Sequence, residues 1–153
     1  MRSELRRGLD TNVLIYAQVP SLPDHEVVRR HVMEQLRRAE VKLFITPTVL
    51  HEFIHVVTDG RRFEPPVGMS EAVAITRLYL GRSNIECLDL TEAVFQGALT
   101  LLERHGLGRK RVADTLLAAT FLHHGVDEIV TCNPEDFAVF EELNVIDPRK
   151  PAA

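Results

Sequence analysis

The sequence predicts an α/β fold: a parallel central sheet of four to five strands with helices on both faces, in a single domain spanning residues 1–150. Three observations carry that expectation. Short apolar segments alternate along the chain with longer segments whose apolar residues recur at helical spacing, the pattern of a parallel sheet covered on both sides. Capping residues stand between them where a strand would hand over to a helix. The chain is 153 residues long, 45% hydrophobic and 26% charged, enough for one sizeable core without a second domain.

Residues 4–9 read as the first strand and a helix begins near Asn12, with Thr11 and Asn12 able to turn the chain and cap it. Val19 to Asp24 holds two prolines and reads as a loop. From His25 to Arg38 the apolar residues at 27, 28, 32, 33 and 36 fall on one side of a helix. Val41 to Ile45 is a strand; Thr46 then offers an N-cap and Pro47 suits the first helical position of a helix to about residue 58. Arg61 to Gly68, with Pro65 and Pro66, is a second loop, after which Ser70 is expected to cap a helix through about Leu80.

Asn84 to Leu88 gives a third strand. Thr91 caps a helix over Glu92 to His105 that stops at Gly106 and Gly108. Arg109 to His124 reads as helical and ends at Gly125. Glu128 to Cys132 is a strand, Asn133-Pro134 opens a short helix through about Glu142, and Val145-Ile146 closes the sheet. The first strand, Glu4-Leu5-Arg6-Arg7-Gly8-Leu9, is less apolar than a central parallel strand should be, which puts its register in question.

A formal charge of −4 argues against a general nucleic-acid coat, which depends on many phosphate contacts, but leaves room for an enzyme that grips a phosphodiester locally. Arginine outnumbers lysine 15 to 3, and Arg109-Lys110-Arg111 is one of several small basic clusters. No apolar run approaches roughly 18 residues and no signal-peptide pattern is present, so the expected location is cytoplasmic, without a membrane partner. Cys87 and Cys132 sit in apolar segments and suit buried, reduced thiols.

The chemistry is expected where isolated acids follow strands. Asp10 follows the first strand, Glu52 lies on the helix after the second, and Asp114 opens a later helix. Glu135 and Asp136 follow the strand ending at Cys132. In a parallel sheet these strand ends share one edge, where open α/β sheets bind ligands. Convergent carboxylates repel each other unless a cation intervenes, and oxygen-only ligands favour Mg²⁺ or Mn²⁺ over zinc. Such an ion activates water for in-line phosphoryl displacement. Each acid also has a plainer reading: Asp114 can complement a helix dipole or pair with Arg111, and Glu135 and Asp136 can do the same in a first turn.

Taken together, Leu9-Asp10-Thr11-Asn12-Val13-Leu14-Ile15, the helix bearing Glu52, the stretch Arg111 to Ala119 around Asp114, and Val130-Thr131-Cys132-Asn133-Pro134-Glu135-Asp136-Phe137 resemble a PIN domain of the VapC toxin type. The resemblance covers nearly the whole chain. It implies a three-layer α/β/α fold and a Mg²⁺- or Mn²⁺-dependent endoribonuclease acting on RNA. It further implies a cognate antitoxin as partner and a homodimer. Carried over residue by residue, it makes Asp10, Glu52 and Asp114 the core acids, with Asp10 and Asp114 as direct metal ligands. The position of the family's fourth acid holds Asn133, so that role is weakened, taken by Asp136, or absent. Thr11, Asn12, Asn133, Arg109, Lys110 and Arg111 are the accompanying candidates for substrate contacts.

One motif competes for the same glutamate. His51-Glu52-Phe53-Ile54-His55 matches the zinc peptidase pattern H-E-x-x-H, in which two histidines one helical turn apart bind the metal and the glutamate is the general base. That reading needs a third ligand, and it leaves Asp10 and Asp114 unexplained.

Overall fold

The structure is a computed structural model and describes residues 3–150. Five parallel strands form one sheet in the order β3-β2-β1-β4-β5. They are β1 (Leu5–Leu9), β2 (Val41–Ile45), β3 (Ile85–Cys87), β4 (Glu128–Val130) and β5 (Asn144–Ile146). The helices are α1 (Thr11–Gln18), α2 (His25–Arg37), α3 (Pro47–Val57), α4 (Met69–Gly81), α5 (Glu92–His105) and α6 (Val112–His123). The central strand is therefore β1, the one whose sequence is least apolar.

Side-chain alternation along β1 explains how it tolerates that composition. Toward α6, Gly8 lies so close to Phe121 that a Cβ on it would stand 2.3 Å from the ring. On that same face the Arg6 guanidinium lies 4.6 Å from the centre of the Phe44 ring and donates to the carbonyls of Gly125 and His124 at 3.2 and 3.0 Å. Toward α2, Arg7 donates to Gln35 and lies 3.5 Å from Glu128 on β4. Every charge on the central strand thus has a partner on a neighbouring element, and the register follows: Leu5 pairs with Val41, and Leu9 with Val130.

One continuous core spans the sheet, with Leu9, Leu43, Phe44, Ile45, Ile129 and Val130 from its strands. Phe53, Phe121, Phe137 and Phe140 are fully buried against it from the covering segments. Helices α5 and α6 pack on each other, while α1 packs on α2 and α3.

Most expected elements appear within a residue or two. Thr46 caps α3 by accepting from the Val49 amide at 3.1 Å, and Thr91 caps α5 through Val94 at 3.3 Å. Gly106 closes α5 in the left-handed region, φ 58°. Four local expectations are corrected. Asp10 itself, not Thr11 or Asn12, caps α1, and Gly68 rather than Ser70 precedes α4. Arg109–Arg111 is a separate 3₁₀ turn before α6. The helix expected from Pro134 to Glu142 is only a 3₁₀ turn, Pro134–Asp136, followed by further turns. Phe137, Phe140 and Leu143 are all buried and spaced by three, a spacing met by the successive i to i+3 bonds at Phe140 and Leu143 rather than by a 3.6-residue helix.

Candidate active site

Asp10 leaves β1 at its carboxyl end and caps α1. Its carboxylate accepts from the Thr11 amide at 2.8 Å, the Thr131 hydroxyl at 2.8 Å and the Asn12 amide nitrogen at 3.2 Å. Thr131 reaches it because β4 lies beside β1 and the Asp10 amide donates to Val130 at 3.0 Å, continuing the ladder one step past the strand. Loss of water raises the Asp10 carboxyl above its usual range; Thr131 and Thr11 oppose that rise, and Glu52 and Asp136 add to it.

Glu52 stands on an exposed face of α3, where its Oε2 accepts from the Thr11 hydroxyl at 3.1 Å. The apolar residues around it in sequence turn the other way, Val49, Leu50, Phe53, Val56 and Val57 all being buried. An acid at this position therefore carries no burial cost, contrary to what its sequence neighbours imply.

Asp114 sits in the first turn of α6, half-buried, with its carboxyl pushed up to about 6. Desolvation is the largest cause, followed by the charges of Asp10 and Asp136; Arg111 opposes them and Glu52 adds a little more. Arg111 Nε is 3.8 Å from the Asp114 carboxylate, and its guanidinium donates to the backbone carbonyl of Asp136. Acids from four separate segments thus meet at the strand-end edge, where Glu52 and Asp136 act on Asp10 and on Asp114, and Asp136, not Glu135, is the one from the last segment that does so.

Among the described residues, no three carboxylate, imidazole or thiol groups are drawn together tightly enough to enclose an ion by themselves. That observation separates the two metal chemistries. A catalytic zinc site needs three protein ligands, whereas Mg²⁺ keeps several waters and is held by one or two carboxylates. His51 and His55 are exposed, with nearly parallel rings whose centres lie 6.3 Å apart, and they lack the third ligand. The all-oxygen set, in which burial and neighbouring acids raise the carboxyls of Asp10 and Asp114, fits a hard, hydrated divalent ion.

The accompanying residues divide into two groups. Asn12 is structural as well as close: its Oδ1 accepts from the Cys132 amide at 3.0 Å and so ties α1 to the end of β4. The Asn133 amide donates to the Thr131 hydroxyl at 3.0 Å, and its side chain is exposed. Among the described residues Arg109 and Lys110 are exposed and make no side-chain hydrogen bond or ion pair, whereas Arg111 is engaged with Asp114 and Asp136. Thr131, which holds Asp10, was not singled out from the sequence, since only the adjacency of β4 and β1 brings it there. Cys132 is buried, and burial pushes its thiol up to about 12, so it is no nucleophile.

Comparison with known proteins gives a consistent result. The family profile described as PIN domain matches residues 9–143. The ribonuclease VapC24 of Mycobacterium tuberculosis is 31% identical over 142 residues, covering 92% of this chain and 95% of that protein. Among solved structures, VapBC-1 from nontypeable Haemophilus influenzae has a TM-score of 0.64 at 17% identity over 95% of this chain and 99% of that one. VapBC2 from Rickettsia felis, bound to a DNA fragment from its promoter, has a TM-score of 0.63 at 20% identity, covering 92% of this chain and 97% of that one. M. tuberculosis VapC20, a toxin that cleaves the sarcin-ricin loop, scores 0.63 at 17% identity over 80% of this chain and 86% of that one. These structural likenesses show a shared fold.

Proposed function

The chain belongs to the PIN-domain family, and on that premise we propose that it is a divalent-metal-dependent endoribonuclease, the toxin of a toxin-antitoxin pair, hydrolysing RNA phosphodiester bonds. One observation carries the reading: Asp10, Glu52, Asp114 and Asp136 come from four distant segments to one sheet edge, where burial first, and then the charges of Asp10, Asp136 and Glu52, push the carboxyl of Asp114 up to about 6. Like charges gathered at such a cost to one another call for a cation.

Asp10 and Asp114 would hold Mg²⁺ or Mn²⁺, with Glu52 binding directly or through water and Asp136 orienting a further water. When bound, such an ion supplies a water of lowered pKa and neutralises the charge that develops on the phosphate. The chain's own residues do the positioning. Thr131 and the Thr11 amide fix the Asp10 carboxylate, the Thr11 hydroxyl fixes Glu52, and Arg111 ties the Asp136 turn to Asp114. Arg109 and Lys110, exposed just before α6 and unpaired among the described residues, are the candidates for holding phosphates that flank the cut. Asn133 presents an exposed amide just after Thr131, which holds Asp10.

The partners are proposed on the same footing: a cognate antitoxin and a second copy of the chain. Large apolar side chains left uncovered support them, Leu78 and Met69 on α4 being 70% and 57% exposed, with Phe95 and Leu99 on α5 also exposed. Among the described residues no helix is long and apolar enough to cross a membrane. The deciding experiment is RNA cleavage with Mn²⁺, comparing the wild type with Asp10→Asn and Asp114→Asn. Loss of activity in both supports the site, and unchanged cleavage in both would defeat it.

A further inference from the structure

On the α2 side of the sheet, away from Phe121, a cleft of about 800 Å³ runs from the middle of β1 to the residues that follow β5. Five cations line it, Arg7, Arg30, Arg38, Arg149 and Lys150, against three acids, Glu34, Glu128 and Asp147. Its surface is therefore net positive on a chain whose formal charge is −4. Three of the cations are already paired: Arg7 with Glu128 at 3.5 Å, Arg38 with Glu40 at 2.8 Å, and Arg149 with Asp147 at 3.0 Å. Among the described residues Arg30 and Lys150, both exposed, have no carboxylate within ion-pair distance.

One further atom in the lining lacks a partner. His31 Nε2 is buried without a hydrogen bond, whereas Arg7 Nε, also without one, faces Glu128 at 3.5 Å. Unpaired buried polar atoms are uncommon in native proteins and are met by an ion, a water or a ligand. Burial holds the His31 imidazole below its usual range, and the charges of Arg7 and Arg38 add to that while Glu34 opposes it.

The position of the cleft relates it to the acids. Pro134 lines it and is the residue after Asn133, whose amide bonds the same Thr131 that holds Asp10. Asp147 to Lys150 follow β5 at the carboxyl edge of the sheet, two strand spacings from the end of β1, about 10 Å. A strand lying across Asp10 and Asp114 and passing over the Asn133-Pro134 turn would enter this cleft.

We propose that the cleft seats the phosphate backbone of the RNA on one side of the cut, with Arg30 and Lys150 as the phosphate contacts and the unpartnered His31 Nε2 at its floor. This rests on the ribonuclease reading above and adds where the substrate lies. Arginine forks match phosphate geometry, and the apolar wall of Val27, Val145 and Ile146 suits sugars rather than a carboxylate-rich peptide.

The test is binding of a fluorescent single-stranded 12-nucleotide RNA in EDTA, followed by anisotropy over a range of salt, for the wild type and the Arg30→Glu/Lys150→Glu double variant. Cleavage by the wild type with Mn²⁺ runs in parallel. The double variant is expected to bind about tenfold or more weakly, and its salt slope to be shallower by roughly 1.4, the value for two lost phosphate contacts to a single strand. The charge-preserving pair Arg30→Lys/Lys150→Arg should restore both. Affinity and slope equal to the wild type, in an enzyme that cleaves RNA, would overturn the cleft alone. A wild type that neither binds nor cleaves RNA would remove the ribonuclease reading and the cleft with it. Loss of antitoxin binding in the double variant with RNA affinity intact would make the cleft a peptide seat and overturn the proposal.

Discussion

Thr131 has one hydroxyl and three neighbours that use it. It donates to Asp10 while accepting from the amide of Asn133 and, at 3.4 Å, from Asn12. Thr131→Val keeps the shape and removes all three, leaving the part-buried Asp10 carboxylate short of a donor and the Asn133 amide without this acceptor, at about 1–3 kcal/mol. Stability should fall by that amount in denaturant titrations and cleavage by about tenfold or more, while Thr131→Ser should keep both near wild type. Asp114 yields a prediction of the opposite sign. Its folded carboxyl titrates at about 6, above the ordinary 3.8, so the folded state binds the proton more tightly than the unfolded one. Its ionisation therefore destabilises the metal-free protein above about pH 6, and the penalty fades as the pH falls toward 4. Asp114→Asn should stabilise the metal-free protein at pH 7.5 by roughly 1 kcal/mol, after allowance for screening at a half-buried site, and by less at pH 5. His31 is shifted down and loses stability over the same acid range, so the informative quantity is the difference between variant and wild type. A constant difference from pH 5 to 7.5 would show that Asp114 is not coupled to its neighbours as described.

At the scale of elements, β1 concentrates the fold's unusual requirements in five residues. Gly8 is demanded by space: the Phe121 ring occupies the volume a methyl group would take, so Gly8→Ala should destabilise by about 1–3 kcal/mol or more, read as a lower midpoint in urea. Phe121→Leu in the same chain should recover part of that loss, making the two changes non-additive. If Gly8→Ala alone is neutral, Phe121 does not demand a glycine at this position of β1. The elements also show what the sequence can and cannot convey. Helices α3 and α5 were readable to within a residue or so because their signals are local, a threonine cap followed by proline or acid and, for α5, a terminal glycine. The polar β1 was readable as a strand but not as the central one, because Arg6 and Arg7 are satisfied by Phe44, Gln35 and Glu128, partners far away in sequence. The turns after Pro134 were overread as a helix, since three-residue spacing of aromatics resembles helical periodicity over so short a stretch.

For the molecule as a whole, the decisive fact is that a parallel sheet delivers the ends of β1, β2 and β4 to one edge, so that segments some 40 and 120 residues apart can share a site, as Thr11 with Glu52 and Asp10 with Thr131 do. The acids were legible because Asp10, Glu52 and Asp136 come soon after strands and Asp114 opens a helix; the threonines that hold them and the cleft beside β5 were not, because strand order is not written in any local pattern. The same gathering of charge makes global stability a readout of ion binding. An ion that binds only the folded state adds RT ln(1 + [L]/Kd), about 2.7 kcal/mol at a free concentration a hundred times Kd. Thermal melts should therefore rise with Mn²⁺ in the wild type and stay flat in Asp10→Asn/Asp114→Asn. Protons compete for Asp114 below about pH 6, so the increment should shrink as the pH is lowered from 7.5 to 5.5. An equal rise in the double variant would place the ion elsewhere on the surface, and a rise that ignores pH would mean that Asp114 does not bind it.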